Sequence, residues 1–258
     1  MSNSFLSPAK INLDFKILGR REDGYHLIRS EMVAVNLFDI LNVTIASQNT
    51  LDSPNPLPFD FSSSIFFKVY EQIKRIIPDL PCFKISLKKT IPIGAGLGGG
   101  SSNAATFIFA IRQLLCLDWT DREMMLIASR VGADVPFFFS YGRALAERIG
   151  TEISPLQPQP NKEFTLLFDS TMIATPAVYR LVDLDHLEQS AKNQLEKFAL
   201  LAYPSYAESL SRWKNLFEGV TMTGSGSSAF IEGIYPFQMH NLMGFHSLTV
   251  ERKPNQWY

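Results

Sequence analysis

The stretch Pro92-Ile93-Gly94-Ala95-Gly96-Leu97-Gly98-Gly99-Gly100-Ser101-Ser102 holds five glycines in eleven residues. It runs straight into a helical pattern of apolar residues, with Ala104, Ala105, Phe107, Ile108, Ile111, Leu114 and Leu115 on the buried face. Glycine takes backbone conformations closed to other residues and lets a ligand come close to main-chain N–H groups. The helix that follows adds its unpaired first-turn donors and the positive end of its dipole. Together these make an anion site, and phosphate is the usual occupant. Ser101 and Ser102 can cap the helix, bond a phosphate oxygen or ligand a magnesium ion.

Three readings of this loop compete. A plain turn before a capped helix does not need so many glycines. A dinucleotide fingerprint fits Gly94-x-Gly96-x-x-Gly99 literally, with Asp118 near the expected acidic position. That fingerprint belongs directly after a strand, at the start of a βαβ unit. Here Lys88 to Ile91 separate the glycines from the strand candidate Phe83–Leu87, and other elements precede both. The third reading is the nucleotide-phosphate loop of a kinase. It is not of Walker type, because no G-x-x-x-x-G-K-[ST] occurs. The third reading fits best.

Around this loop the composition is that of a soluble globular protein. With 258 residues and 46% hydrophobic content, the chain can bury one large or two modest cores. A net charge of −1 gives no electrostatic basis for binding nucleic acid or an anionic membrane surface. Cys82 and Cys116 lack metal spacing and are expected as buried thiols in a reducing cytoplasm. The polar start, with Lys10 early, does not read as a signal peptide, and no apolar run suits a membrane span.

Ile11, Leu13, Phe15 and Ile17 alternate with polar residues, which predicts a strand with one buried face. Gly19–Gly24 is a polar turn, and Glu31–Ala46 reads as one or two further strands. Three prolines between Asp52 and Asp60 mark a loop. Ser63 or Ser64 is placed to cap a helix running to Ile77, and Thr120-x-x-Glu123 is a capping box for a helix to Val131. The loop helix is expected over Ser101–Leu117, with short strands at Phe137–Phe139 and Arg143–Glu147. Pro155-Leu-Gln-Pro-Gln-Pro160 suits a link between two halves, here taken as residues 1–153 and 154–258. Beyond it lie a strand at Phe164–Phe168, helical periodicity over 176–217 broken near Tyr203-Pro204, a second glycine-serine turn at 223–228, and a strand at Ala229–Ile231. Strands and helices alternate without a regular βα rhythm, so the expected class is α+β.

Gly132-Ala-Asp134-Val-Pro-Phe-Phe-Phe139 sets one carboxylate in an apolar segment. It is either a turn residue at a helix end or a charge that needs a partner. Lys10 is the outstanding candidate for that partner. Lys10, Asn12 and Asp14 form either a solvated strand face or a set aimed into a cleft. Tyr25 and His26 follow the turn at Asp23-Gly24 and are either plain aromatics or groups that stack on and bond a base. The turn at 223–228 gains meaning only beside the first loop, where it could add backbone donors to the same polyanion.

In this order, Ser7-Pro-Ala-Lys-Ile-Asn12, Gly19-Arg-Arg-Glu-Asp-Gly-Tyr-His26, Pro92–Ala105, Gly132-Ala-Asp-Val-Pro-Phe-Phe138 and Thr223-Gly-Ser-Gly-Ser227 resemble the GHMP kinase superfamily over almost the whole chain. The resemblance implies a two-lobed α+β fold with the site in the cleft between the lobes. It implies an ATP-dependent phosphotransferase with an alcohol acceptor. Pro92 to Ser102 would wrap the phosphates of ATP with Mg2+, Asp134 would be the catalytic carboxylate, and Lys10 its basic partner. Asn12, Tyr25 and His26 match positions that meet the acceptor. Thr175-Pro176-Ala-Val-Tyr179 resembles the segment that supplies a second aromatic ring. The Asp-Gly-Tyr-His segment and the long Gly-Gly-Gly-Ser-Ser-Asn-Ala-Ala run imply a small-molecule acceptor that carries cytidine diphosphate on a methylerythritol unit. They also imply a place in the non-mevalonate route to isoprenoid precursors, for a cytoplasmic monomer or weak homodimer. Kinases for mevalonate, phosphomevalonate or homoserine are the alternative, and a nucleotide sensor on the same fold is a second. The aromatic clamp argues against the first and the pair Lys10 and Asp134 against the second.

Overall fold

The computed structural model describes residues 4–240 and 242–258. Two β-sheets organise the chain. The first has seven strands: β1 (Ser4–Asn12), β2 (Lys16–Arg20), β3 (His26–Ala46), β4 (Thr50–Asp52), β5 (Cys82–Lys88), β6 (Arg143–Arg148) and β7 (Glu152–Pro155). Its spine is the 21-residue β3, which pairs antiparallel with β1, β2, β5 and β6. The second sheet is antiparallel, in the order β11 (Met243–Leu248), β8 (Glu163–Phe168), β10 (Ala229–Glu232) and β9 (Thr221–Met222). Helices α1 (Ile65–Lys74), α2 (Gly99–Leu114) and α3 (Asp121–Ser129) belong with the first sheet, and α4 (Thr175–Arg180), α5 (Glu196–Ala202) and α6 (Pro204–Leu216) with the second. Apart from β4, which pairs with β5 in parallel, the strands pair antiparallel, and this mixture of sheets and helices is the expected α+β class.

Both faces of the first sheet are covered, and this positions the site. Phe83, Ile85, Leu87 and Met32 pack with α1, α2 and α3 on one side. Ala9, Ile11, Val33 and Val35 pack with Phe164, Leu166 and Phe230 of the second sheet on the other. A bulge between Pro8 and Ala9 shifts the register of β1. It turns Ile11 toward the second sheet and so leaves Lys10 and Asn12 facing the glycine loop. Both are nearly fully buried, so the solvated polar face is ruled out for this strand. The chain leaves the sheet at residues 13–15, where Phe15 exchanges backbone hydrogen bonds with residues 192 and 194. That excursion splits the single strand expected over 11–17 into β1 and β2.

Other boundaries differ for local reasons. The loop helix begins at Gly99 rather than Ser101, with Gly98 at its cap in the left-handed region (φ +68°). Ser64 precedes α1, but its hydroxyl donates to the Phe61 carbonyl instead of capping. Thr120 and Glu123 do form the capping box. Pro136–Phe139 is a 3-10 turn, not a strand, because Pro136 starts a helical turn more readily than a sheet. The helical pattern over 176–217 is interrupted between Arg180 and Glu196 as well as at Tyr203. Cys82 is half-buried and Cys116 exposed, so neither is the buried thiol expected.

Residues 249–258 cross back to the first sheet. Val250 donates to the Ala34 carbonyl at 3.0 Å. The Trp257 ring stacks on Phe109 at 5.0 Å, and its Nε1 donates to the Leu6 carbonyl. Buried Arg252 forks onto Asp121 (3.1 and 2.7 Å) and donates to the carbonyls of Phe139 (2.6 Å) and Ser140 (3.2 Å). Removing the guanidinium leaves a carboxylate and two inward-facing carbonyls unpaired, and breaking such a pair costs about 3–5 kcal/mol. Arg252→Met is therefore expected to lower the unfolding free energy by about that amount in a denaturant titration.

Candidate active site

The glycine loop is held open by its backbone. Gly94, Gly96 and Gly98 all have positive φ, between +68° and +75°. A Cβ at Gly98 would meet Lys10 Cγ at 2.8 Å, and one at Gly96 would meet the Gly226 and Thr223 carbonyls at 2.7 and 2.8 Å. The second glycine turn therefore lies directly against the first, and Ser228 N–H donates to the Ala95 carbonyl at 3.2 Å. Gly224 and Ser225 of that turn join Pro92 to Ser101 in lining one cavity of about 410 Å³. Ser102 is not among its lining residues. Its hydroxyl is fully buried and accepts from Ser7 at 2.9 Å, so the serine expected as a possible magnesium ligand is turned inward.

Lys10 and Asp134 meet in this cavity, with Nζ 3.4 Å from Oδ2. The side chain of Asp134 is 40% exposed against 4% for Lys10. The carboxylate thus faces the cleft, and the phenylalanines after it fill the core. The Lys10 ammonium also donates to Asn12 Oδ1 at 2.6 Å and to the Gly96 carbonyl at 3.1 Å.

A second cavity of about 540 Å³ opens from the same point. Tyr25, His26, Pro176 and Arg180 line it, and Phe15, Asp134, Thr175 and Tyr179 border both cavities. Tyr25 is 62% exposed at the rim. The rings of His26 and Tyr179 lie 5.3 Å apart at 33°. His26 Nε2 is buried and has no hydrogen-bond partner. Burial, helped by the charge of Arg20, pushes the His26 imidazole below its ordinary value, so the ring is neutral at physiological pH. Burial, with the nearby Asp134 charge, pushes the Tyr179 phenol up. Thr175 bonds Ser225 at 2.8 Å and so ties α4 to the second glycine turn. A larger cavity of about 620 Å³, between residues 188 and 221, contains none of these groups.

Two contributors escaped the sequence reading. Lys89 lines the first cavity and pairs with fully buried Asp39 at 2.5 Å. Burial pushes the Lys89 ammonium down, and Asp39 offsets part of that shift. Asp39 also accepts from Thr90 and Ile91 N–H and from Asn103 Nδ2, fastening both ends of the glycine loop to β3. The signal was a lone carboxylate inside Leu37-Phe-Asp-Ile-Leu41, which needs partners if that strand is buried.

The sequence pattern of the GHMP kinase N-terminal domain matches residues 64–143. The 4-diphosphocytidyl-2-C-methyl-D-erythritol kinase of Chlamydia trachomatis serovar L2 is 32% identical, over 98% of this chain and 96% of its own length. That of Protochlamydia amoebophila is 34% identical, over 98% and 91%. The chain belongs to the 4-diphosphocytidyl-2-C-methyl-D-erythritol kinase family. It is a GHMP kinase and, as the family implies, uses ATP. A crystal structure of 4-(cytidine 5'-diphospho)-2C-methyl-D-erythritol kinase superposes with a TM-score of 0.79 at 28% identity, covering 96% of this chain and 99% of that one. A mevalonate kinase structure at 13% identity, with a TM-score of 0.65, shares the fold. Among the described residues no helix is long and apolar enough to cross a membrane.

Proposed function

We propose that this kinase transfers the γ-phosphoryl group of ATP to the 2-hydroxyl of 4-diphosphocytidyl-2-C-methyl-D-erythritol. The supporting observation is the place of Asp134, at the mouth shared by a glycine-lined cavity and an aromatic one. Phosphate oxygens would sit on the N–H groups of Gly94–Ser101 at the N-terminus of α2, with adenine toward Phe59 and Ile65. Cytosine would stack between Tyr25 and Tyr179, with Thr175 and Pro176 at its edge and His26 Nε2 facing a base atom. The acceptor hydroxyl would then reach Asp134, and Asn12 would approach the acceptor through Lys10. Residues 1–153 and 154–258 would form the two lobes of a cytoplasmic monomer or weak homodimer, with the return of 249–258 crossing that division.

In the transfer step the acceptor oxygen bonds to the γ-phosphorus as the bond to the β–γ bridging oxygen breaks. ADP leaves and the hydroxyl proton passes to Asp134. The transition state is loose, so alignment and charge stabilisation dominate. Lys10 pairs with Asp134 at 3.4 Å and offsets charge on the moving group. In a loose transition state orientation of the hydroxyl by Asp134, followed by late proton transfer, is favoured. Magnesium, when bound, neutralises charge on the β- and γ-phosphates. Among the described residues no cluster of three or more His, Cys, Asp or Glu could hold a metal. Ser101, which lines the cavity, would offer that ion a side-chain oxygen in place of Ser102.

A coupled ADP-release assay with magnesium-ATP tests this reading, with mevalonate and homoserine run alongside. Turnover confined to the cytidyl alcohol is expected, and turnover only with another alcohol would overturn the assignment. Base stacking on one ring contributes about 1–3 kcal/mol. Tyr25→Ala is thus expected to raise KM for the cytidyl substrate by about 5- to 150-fold, with KM for ATP unchanged. An unchanged KM for the cytidyl substrate would remove Tyr25 from the clamp.

A further inference from the structure

We propose that Ser30 is a positioning residue for phosphoryl transfer, acting through the side-chain amide of Asn12 on the Lys10 ammonium. The inference rests on the roles given above to Lys10 and Asp134.

Ser30 lies on β3 and is fully buried. Its hydroxyl donates to the Asp14 carbonyl at 2.6 Å. A carbonyl only accepts, so the single hydroxyl proton is committed there. Ser30 Oγ can then serve its other partner, Asn12, only as an acceptor, at 2.7 Å. This settles which end of the Asn12 amide faces Ser30: the NH2 end. The oxygen end must face Lys10 Nζ, at 2.6 Å.

The direction matters because the two ends of an amide are almost the same size. Packing does not distinguish them; only the hydrogen-bond partners do. An ammonium has three protons and no lone pair. Lys10 spends its protons on Asn12 Oδ1, on the Gly96 carbonyl and toward Asp134. If the amide turned over, its NH2 group would confront the ammonium, a donor against a donor, and Lys10 would be driven off its three-point mount. The other end of the chain is fixed as well: Asp14 Oδ1 accepts from Glu31 N–H at 2.7 Å. The Asn12 main chain is held independently, with its N–H donating to Thr223 Oγ1 at 2.7 Å. Ser30 therefore controls the side chain of Asn12 and not its place in the strand.

The test uses Ser30→Ala, Ser30→Cys, Ser30→Thr, Asn12→Ala and the double variant Asn12→Ala/Ser30→Ala, each in the full chain and each checked for cooperative unfolding. Cys keeps the volume of Ser without a strong donor, so it stays informative if the Ala variant fails to fold. Ser30→Ala and Ser30→Cys are expected to lower kcat by about 10- to 100-fold, a typical size for a misplaced charged partner at a reacting group. KM for ATP should stay within about twofold, and Ser30→Thr should recover most of kcat. The double variant should be no slower than Asn12→Ala alone, because residues acting in series are not additive. Wild-type kcat in both Ser30→Ala and Ser30→Cys would overturn the inference. So would additive losses in the double variant, or equal losses in the Thr and Cys variants, which would mark a packing role. Loss of activity on replacing Lys10 or Asp134, together with full activity in the Ser30 variants, would sink this inference alone. Wild-type protein that fails to turn over the cytidyl alcohol would sink the reading beneath it.

Discussion

Asp134→Asn is expected to lower kcat by about 10²–10⁴-fold, the usual range for loss of a positioned proton acceptor. The amide keeps the shape of the carboxylate and removes its charge and its basicity. The ATP phosphates sit on backbone donors of residues 94–101 in this reading, so ATP affinity should change little. Its readouts are single-turnover phosphoryl transfer and an ATP-binding titration on the same sample. Lys10 would lose its ionic partner but keep Asn12 Oδ1 and the Gly96 carbonyl, so the variant should remain folded. Turnover near that of the unaltered enzyme would end the case for Asp134 as proton acceptor.

The second large effect is expected at Gly96. A side chain at φ +75° costs about 1–2 kcal/mol by itself. The added Cβ would also lie 2.7 Å from the Gly226 carbonyl and 2.8 Å from that of Thr223. Both obstacles are backbone, so the two glycine turns must separate. Separation moves the Gly96 carbonyl away from Lys10 and widens the cradle at the same time. Gly96→Ala should therefore lose about 2–4 kcal/mol of stability and raise KM for ATP at least tenfold. Gly100→Ala is the comparison, since a Cβ there meets nothing within 4 Å and the residue is already helical. If Gly96→Ala unfolds at the same denaturant concentration as Gly100→Ala, the close approach of the two turns carries no energy.

The glycine loop ahead of α2, the Thr120 capping box and the approach of Lys10 to Asp134 were legible in the sequence. Each follows from local chemistry: glycines before a helix, a reciprocal cap, a carboxylate in apolar surroundings in need of a cation. What stayed hidden depends on material that arrives from far along the chain. Lys10 and Asn12 look like a wet strand face until the two glycine turns close over them, and the bulge at Pro8/Ala9 is marked only by its proline. Ser101 and Ser102 are chemically equal in sequence. The pitch of a helix that starts two residues early sends one to the cavity and the other to Ser7. Asp39 and Ser30 were missed for a related reason: each is a single polar residue whose value lies in partners 16 to 64 positions away.

The return of residues 249–258 to the first sheet bears on how the molecule is made. Domains emerging from a ribosome fold from the N-terminal side first. Here the sheet that emerges first is finished late. The carbonyls of Phe139 and Ser140 and the ring of Phe109 wait for Arg252 and Trp257, which are synthesised only after the whole second sheet. Until then the turn that follows Asp134 lacks the hydrogen bonds that Arg252 brings to Phe139 and Ser140.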